Sequence, residues 1–134
     1  KARPTCNAVA HAHSPYLTAY AYCGKDIRIK CSSSFAILFG EKIPCIPYGE
    51  AATSHIADGL AEALKDNDLV LLANHGVISV GRTLEDAVKL IEAAEEVMKI
   101  YSYAKQIGQT SDLSDEQLES IFEHHPGSKR NRLR

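Results

Sequence analysis

The sequence predicts an α/β layered domain, and three observations carry that prediction. Two apolar runs, Leu69–Ala73 and Val77–Val80, are joined by a tight Asn74-His75-Gly76 turn; leucine-rich and β-branched runs of this kind form central strands of a covered sheet. After them, Thr83 with Asp86 three residues on has the layout of a capping box. It opens a stretch in which Leu84, Ala87, Val88, Ile91, Ala94, Met98 and Tyr101 recur at helical spacing. Strand-like and helix-like segments are mixed along the chain rather than grouped, which is the order of a layered α/β domain.

The remaining elements follow in chain order. Cys6 to His11 reads as a short buried strand. Ser14-Pro15 then gives a helix start, a capping hydroxyl followed by proline at the first helical position, and the helix runs through Tyr16, Leu17, Tyr20 and Ala21 to Gly24. The segment "KDIRIKCSSSFAILFG" is ambiguous: Ile27 and Ile29 alternate as in a strand, while Phe35 to Phe39 suits either a helix or a strand. "KIPCIPYG" is extended, because its two prolines forbid a helix interior and restrict the residues before them. A second helix is expected from Thr53 or Ser54, with Ile56, Leu60, Ala63 and Leu64 on one face. A last short helix begins at Ser114, with Gln117 as its capping partner, and ends near His124. Pro126-Gly127 then leads into "SKRNRLR". The expected organisation is one domain over residues 1–125 and a basic, flexible tail over 126–134.

Composition narrows the function classes. At 134 residues the chain is long enough to bury a core, and 45% hydrophobic with 24% charged residues fits a soluble globular domain. A net charge of −2 argues against nucleic acid as a partner, since phosphate backbones call for concentrated positive charge. No apolar stretch reaches the roughly 18 residues that a membrane span needs. Cys6, Cys23, Cys31 and Cys45 form no C-x-x-C pair and sit mostly among apolar neighbours, which is expected of buried thiols in a reducing cytoplasm. The start, "KARPTC", has neither an initiator methionine nor the layout of a signal peptide, and reads as internal to a longer protein.

The chemistry concentrates in three of the six histidines. His11 and His13 stand two apart in an apolar run, and on a strand such residues share a face. His75 sits at the turn between the two buried strands, where Gly76 permits backbone conformations that other residues resist. Three neutral imidazoles with one open position are a recurring donor set for catalytic zinc, whereas closed structural sites prefer four ligands, often cysteine. An isolated H-x-H is more often ordinary surface, and a histidine before glycine in a turn is commonly a hydrogen-bonded structural residue, so spacing alone leaves both readings open. His55 reads as a surface or capping residue, and His124 and His125 as residues at the negative end of the last helix. Tyr16, Tyr20, Tyr101 and Tyr103 read as packing, with a phenol acting as a proton donor as the alternative.

Three stretches taken together, "NAVAHAHSPYLTAYA", "IPCIPYGEAATSHIADGLAEAL" and "DLVLLANHGVISVGRTLEDAVKLIEAAEEVMKIY", resemble the class II aldolase/adducin family, nearest its L-fuculose-1-phosphate aldolase-like members. The resemblance runs from about Ala8 to Tyr101 in the family's order. It implies a three-layer α/β/α fold around a mostly antiparallel sheet, assembled as a homotetramer with zinc near a subunit interface. It implies that His11, His13 and His75 are the zinc ligands. It also implies a sugar-phosphate substrate, bound to the metal through its carbonyl and adjacent hydroxyl and cleaved to dihydroxyacetone phosphate and an aldehyde, the cation stabilising the enediolate.

The family's acid/base glutamate and most of its phosphate-holding residues lie upstream of the first zinc histidine. Ten residues precede His11 here and none is acidic, so the chain resembles the C-terminal two-thirds of a family member and the catalytic residue is left unassigned. Glu50, in the loop after "IPYG", is expected to be solvated rather than a substitute. A tyrosine that some family aldolases carry before "IPC" is replaced here by "KCSSS". The resemblance also permits a ribulose-phosphate 4-epimerase or a sugar-phosphate dehydratase. From another class it permits a non-catalytic adducin-like assembly module, although such domains generally lack the intact histidine triad.

Overall fold

A four-stranded sheet of β1 (Ala8–Ala12), β2 (Cys45–Ile46), β3 (Leu69–Leu72) and β4 (Gly76–Gly81) forms the middle layer of the computed structural model, which describes residues 3–129. Its spatial order is β1-β4-β3-β2. β1 runs antiparallel to β4 and β4 antiparallel to β3, while the short β2 lies parallel to β3, so the sheet is mostly antiparallel. The helices are α1 (Pro15–Tyr22), α2 (Ser33–Phe39), α3 (Leu60–Asp66), α4 (Leu84–Ile107) and α5 (Asp115–His124).

Alternation along the strands builds two cores, one on each face. Leu69 and Leu71 of β3 and Val77 of β4 meet Leu17 of α1, Phe35 of α2, and Ile91, Ala94 and Met98 of α4. On the other face, Val70, Leu72 and Val80 pack with Ile46 and Leu64 of α3. Helices therefore cover both faces, and the fold is the expected α/β/α sandwich. β1 is the exception to two-sided burial: Ala10 and Ala12 pack against the larger core, whereas Val9 and His11 face outward. The strand begins two residues later than expected, at Ala8; Asn7 still donates its N–H to the Gly81 carbonyl at 3.0 Å, and a turn closed by the Cys6 N–H donating to the Arg3 carbonyl at 3.2 Å precedes it. There the Arg3 guanidinium pairs with the Asp68 carboxylate and donates to the Asn67 carbonyl at 3.3 Å.

The ambiguous stretch divides in two. Ile27 makes a single antiparallel bridge with Ile43, and the following serines start a helix: Ser32 accepts from the Phe35 N–H at 3.2 Å. α2 then buries Phe35, Ala36 and Phe39. The single helix expected from Thr53 is instead broken in two. Ser54–Ala57 forms a short 3-10 turn, and Gly59 takes a left-handed conformation (φ +81°) before α3 begins. Ser14 also departs from expectation, since its hydroxyl makes no capping bond. Both oxygens of the Glu95 carboxylate on α4 do that work, accepting from the Tyr16 N–H at 2.8 Å and the Leu17 N–H at 2.9 Å. The cysteines are less buried than expected: Cys23 is exposed, while Cys6, Cys31 and Cys45 are half-buried, all as free thiols. At the end of the described residues Ser128 is buried and Lys129 donates to Asn67 at 2.6 Å; residues 130–134 lie outside them.

The two predicted capping boxes are both formed. Thr83 accepts from the Asp86 N–H at 3.1 Å and its own N–H donates to the Asp86 carboxylate at 3.2 Å; Ser114 and Gln117 do the same at α5. Thr83 thus fixes where the longest helix begins, directly after the strand that carries half of the central ladder. Replacing Thr83 by alanine is expected to lower stability by about 1 kcal/mol. The check is a urea melt, in which the midpoint falls at an unchanged slope; an unchanged midpoint contradicts the capping role.

Candidate metal centre

His11, His13 and His75 come together at one end of the sheet. His11 is the outward-facing residue of β1 opposite Ile78, and His13 follows the last paired residue, Ala12. His75 is delivered by the turn between β3 and β4. That turn is closed by the His75 N–H donating to the Leu72 carbonyl at 3.0 Å, with Asn74 in the left-handed region (φ +60°). Asparagine tolerates this conformation better than most side chains. The Asn74 N–H also donates to the Ala21 carbonyl at 2.9 Å, pinning the turn to the C-terminal end of α1.

The donor atoms converge. His11 Nε2 lies 3.1 Å from His13 Nε2 and 3.2 Å from His75 Nε2. Tetrahedral zinc with Zn–N bonds of about 2.05 Å places its nitrogens about 3.3 Å apart; the two separations from His11 are close to that value, and all three ligand atoms lie within 4.8 Å of one another. At its other nitrogen, His11 donates Nδ1–H to the Val77 carbonyl at 3.0 Å. That bond puts the proton on Nδ1 and leaves the Nε2 lone pair toward the cluster, the arrangement that orients metal-binding imidazoles. Burial, followed by the neighbouring imidazoles His11 and His13, lowers the pKa of His75 below the usual histidine value. The neutral form, which is the ligating form, is thereby favoured. Among the described residues no Cys, Asp or Glu joins the three, and His11 and His13 are exposed. The candidate donor set among the described residues is therefore three nitrogens, and two of the three side chains are exposed; open zinc sites use three protein ligands, closed structural ones four.

Gly76 belongs to this site for a reason different from the one its sequence position predicts. The left-handed residue in the turn is Asn74, not Gly76. A Cβ at Gly76 would lie 2.6 Å from the Ala12 carbonyl oxygen and 2.8 Å from His13 Cδ2. Glycine is thus demanded by the close approach of β1 and of a candidate ligand, not by backbone conformation. Sequence reasoning also missed the Val77 carbonyl, which no side-chain motif could reveal.

The other histidines and Glu50 do not join the three. His55 is exposed and pairs with Asp58 at 3.0 Å; His124, the last residue of α5, has its Nδ1 2.7 Å from the Ser120 carbonyl; His125 follows the helix; Glu50 is exposed. The Tyr16 hydroxyl donates to that of Tyr103 at 3.3 Å, and this bond, with burial and the nearby Glu95 charge, raises the Tyr16 pKa. Burial raises that of Tyr20, whose ring centroid lies 6.4 Å from that of Tyr101.

A covered, mostly antiparallel sheet with three histidines gathered at the β3–β4 turn defines an α/β/α domain with an open nitrogen donor set. The chain belongs to the class II aldolase and adducin family, whose model, Class II Aldolase and Adducin N-terminal domain, matches residues 1–102. It is 32% identical over 126 residues to the 5-deoxy-D-ribulose 1-phosphate aldolase of Bacillus thuringiensis serovar kurstaki, covering 93% of this chain and 58% of that protein. To the 3-oxo-tetronate 4-phosphate decarboxylase of Escherichia coli K12 it is 35% identical over 100 residues, covering 72% and 47%. A solved structure of an L-fuculose 1-phosphate aldolase superposes with a TM-score of 0.78 at 30% identity, over 91% of this chain and 57% of that one. The chain thus spans roughly half to three-fifths of the length of these relatives.

The tight contact at Gly76 makes a direct test. Gly76→Ala is expected to displace His13 and weaken zinc binding about 10- to 100-fold, the range seen when the groups that orient a ligand are disturbed. Competition against a chromophoric chelator measures it, and wild-type affinity in the variant contradicts the role given to Gly76.

Proposed function

We propose that this chain is the metal-binding part of a zinc-dependent class II aldolase, which cleaves a small sugar phosphate such as L-fuculose 1-phosphate to dihydroxyacetone phosphate and an aldehyde. The observation that carries the reading is the convergence of the His11, His13 and His75 Nε2 atoms, with His11 oriented by the Val77 carbonyl. A divalent cation bound by these three would supply Lewis acidity for the negative charge that develops beside a carbonyl as a carbon–carbon bond breaks. The protein's own part is to hold three neutral imidazoles on one side of that position and leave the other open to substrate. Relatives that act on phosphorylated ketoses support the substrate class. By the resemblance the acid/base glutamate belongs to sequence preceding His11; no carboxylate among the described residues is gathered with the histidines. The reading includes a homotetramer with zinc near a subunit boundary and a cytoplasmic setting. Among the described residues no helix is long and apolar enough to cross a membrane.

A second reading rests on the decarboxylase relative. Loss of carbon dioxide from a 3-oxo acid also breaks a carbon–carbon bond beside a carbonyl and leaves the same kind of charge, so one metal site serves either reaction. An assay separates them. A zinc-loaded longer form that carries the segment preceding His11 is expected to release dihydroxyacetone phosphate from L-fuculose 1-phosphate, followed by coupled NADH oxidation, to lose this on chelation and to regain it with zinc. Carbon dioxide release from a 3-oxo acid phosphate, with no ketose cleavage, selects the second reading. Neither product from loaded protein contradicts both.

A further inference from the structure

The bond pair at the start of α1 has a consequence for the metal ligands. Pro15 has no N–H to offer, so Tyr16 and Leu17 carry the first donors of that helix, and both are taken by the one Glu95 carboxylate. The neighbouring Ser14 hydroxyl is buried and makes no bond among the described residues. A negative carboxylate at the positive end of a helix, accepting two backbone N–H bonds, holds that end by charge and by direction. Upstream, Ala12 is the last residue of the β1–β4 ladder, paired with Val77. Only His13 and Ser14 lie between that ladder and α1. His13 therefore hangs between two anchors: the sheet on one side and the Glu95 clamp on the other. His11 and His75 are fixed differently, by a strand and by a closed turn.

We infer that Glu95 is a positioning residue for the metal site: through α1 it sets where His13 presents its imidazole. The inference rests on His11, His13 and His75 being metal ligands, as proposed above. Glu95 touches neither metal nor substrate in this account. Its charge is spent on backbone N–H groups 78 and 79 residues away in sequence, which is why no motif marks it.

The test measures zinc affinity by chelator competition and the visible spectrum of the cobalt-substituted protein, alongside thermal melting. Glu95→Ala is expected to weaken zinc about tenfold or more and to alter the cobalt bands, because one nitrogen donor is no longer held in place. Glu95→Gln keeps one acceptor oxygen and is expected to recover part of the affinity, and it serves as the readable variant if Glu95→Ala fails to fold. Leu64→Ala is the control: it empties a buried site of α3 in the smaller core on the opposite face of the sheet, and is expected to lower the melting midpoint while leaving zinc affinity unchanged. Wild-type affinity and spectrum in both Glu95 variants overturn the inference. So does an equal loss in Leu64→Ala, which would make the effect one of general stability. Wild-type protein that takes up no metal overturns the triad reading itself, and the inference with it, a result distinct from metal uptake that ignores Glu95.

Discussion

The register between β1 and β4 is the constraint on which the rest depends. His11 stands opposite Ile78 and Ala12 opposite Val77. Side chains alternate along a strand, so a slip of one residue would turn His11 into the core and bring Val9 and Ala10 to the wrong faces. The same register lets His11 Nδ1–H reach the Val77 carbonyl and brings the end of β1 against Gly76. The larger core favours it, because Ala10 and Ala12 pack against that core in this pairing. Packing on one face of a single edge strand thus fixes the chemistry on the other.

The site is assembled from three kinds of local structure, each with its own source of rigidity. A strand holds His11, a turn with asparagine in the left-handed region holds His75, and the join of strand to helix holds His13. α1 links the last two, since its first N–H groups meet Glu95 and its Ala21 carbonyl accepts the Asn74 N–H. α4 in turn is anchored by its capping box at Thr83 and by buried Ala87, Ile91, Ala94 and Met98 along one side. A helix eight residues long has little stability of its own. α1 exists because α4 and the sheet hold it, and the site inherits that support.

Much of this was legible in the sequence. The central strands, the long helix, both capping boxes and the H-x-H pair all announce themselves through local chemistry and period, and the family resemblance implies the α/β/α layers. What stayed hidden depended on contacts between distant residues. Ser14 has the right chemistry and position for a cap, yet a carboxylate from α4 displaces it. Gly76 looks like a conformational glycine, but its neighbours, not its dihedral angles, exclude a side chain. The helix expected from Thr53 breaks because Gly59 turns left-handed, a choice its periodic apolar neighbours do not reveal. For the histidines, spacing could place His11 and His13 on one face but could not bring His75 to them, since that meeting is made by strand pairing across 64 residues.

The central claim is that the three imidazoles bind one metal ion together. Native mass spectrometry of the zinc-titrated protein, compared with its His75→Ala variant, tests it most directly. The account predicts one zinc per chain in the wild type, and loss of that zinc in a variant that keeps its thermal melting transition. Wild-type protein that stays metal-free, or a variant that retains zinc as tightly as its parent, would contradict it.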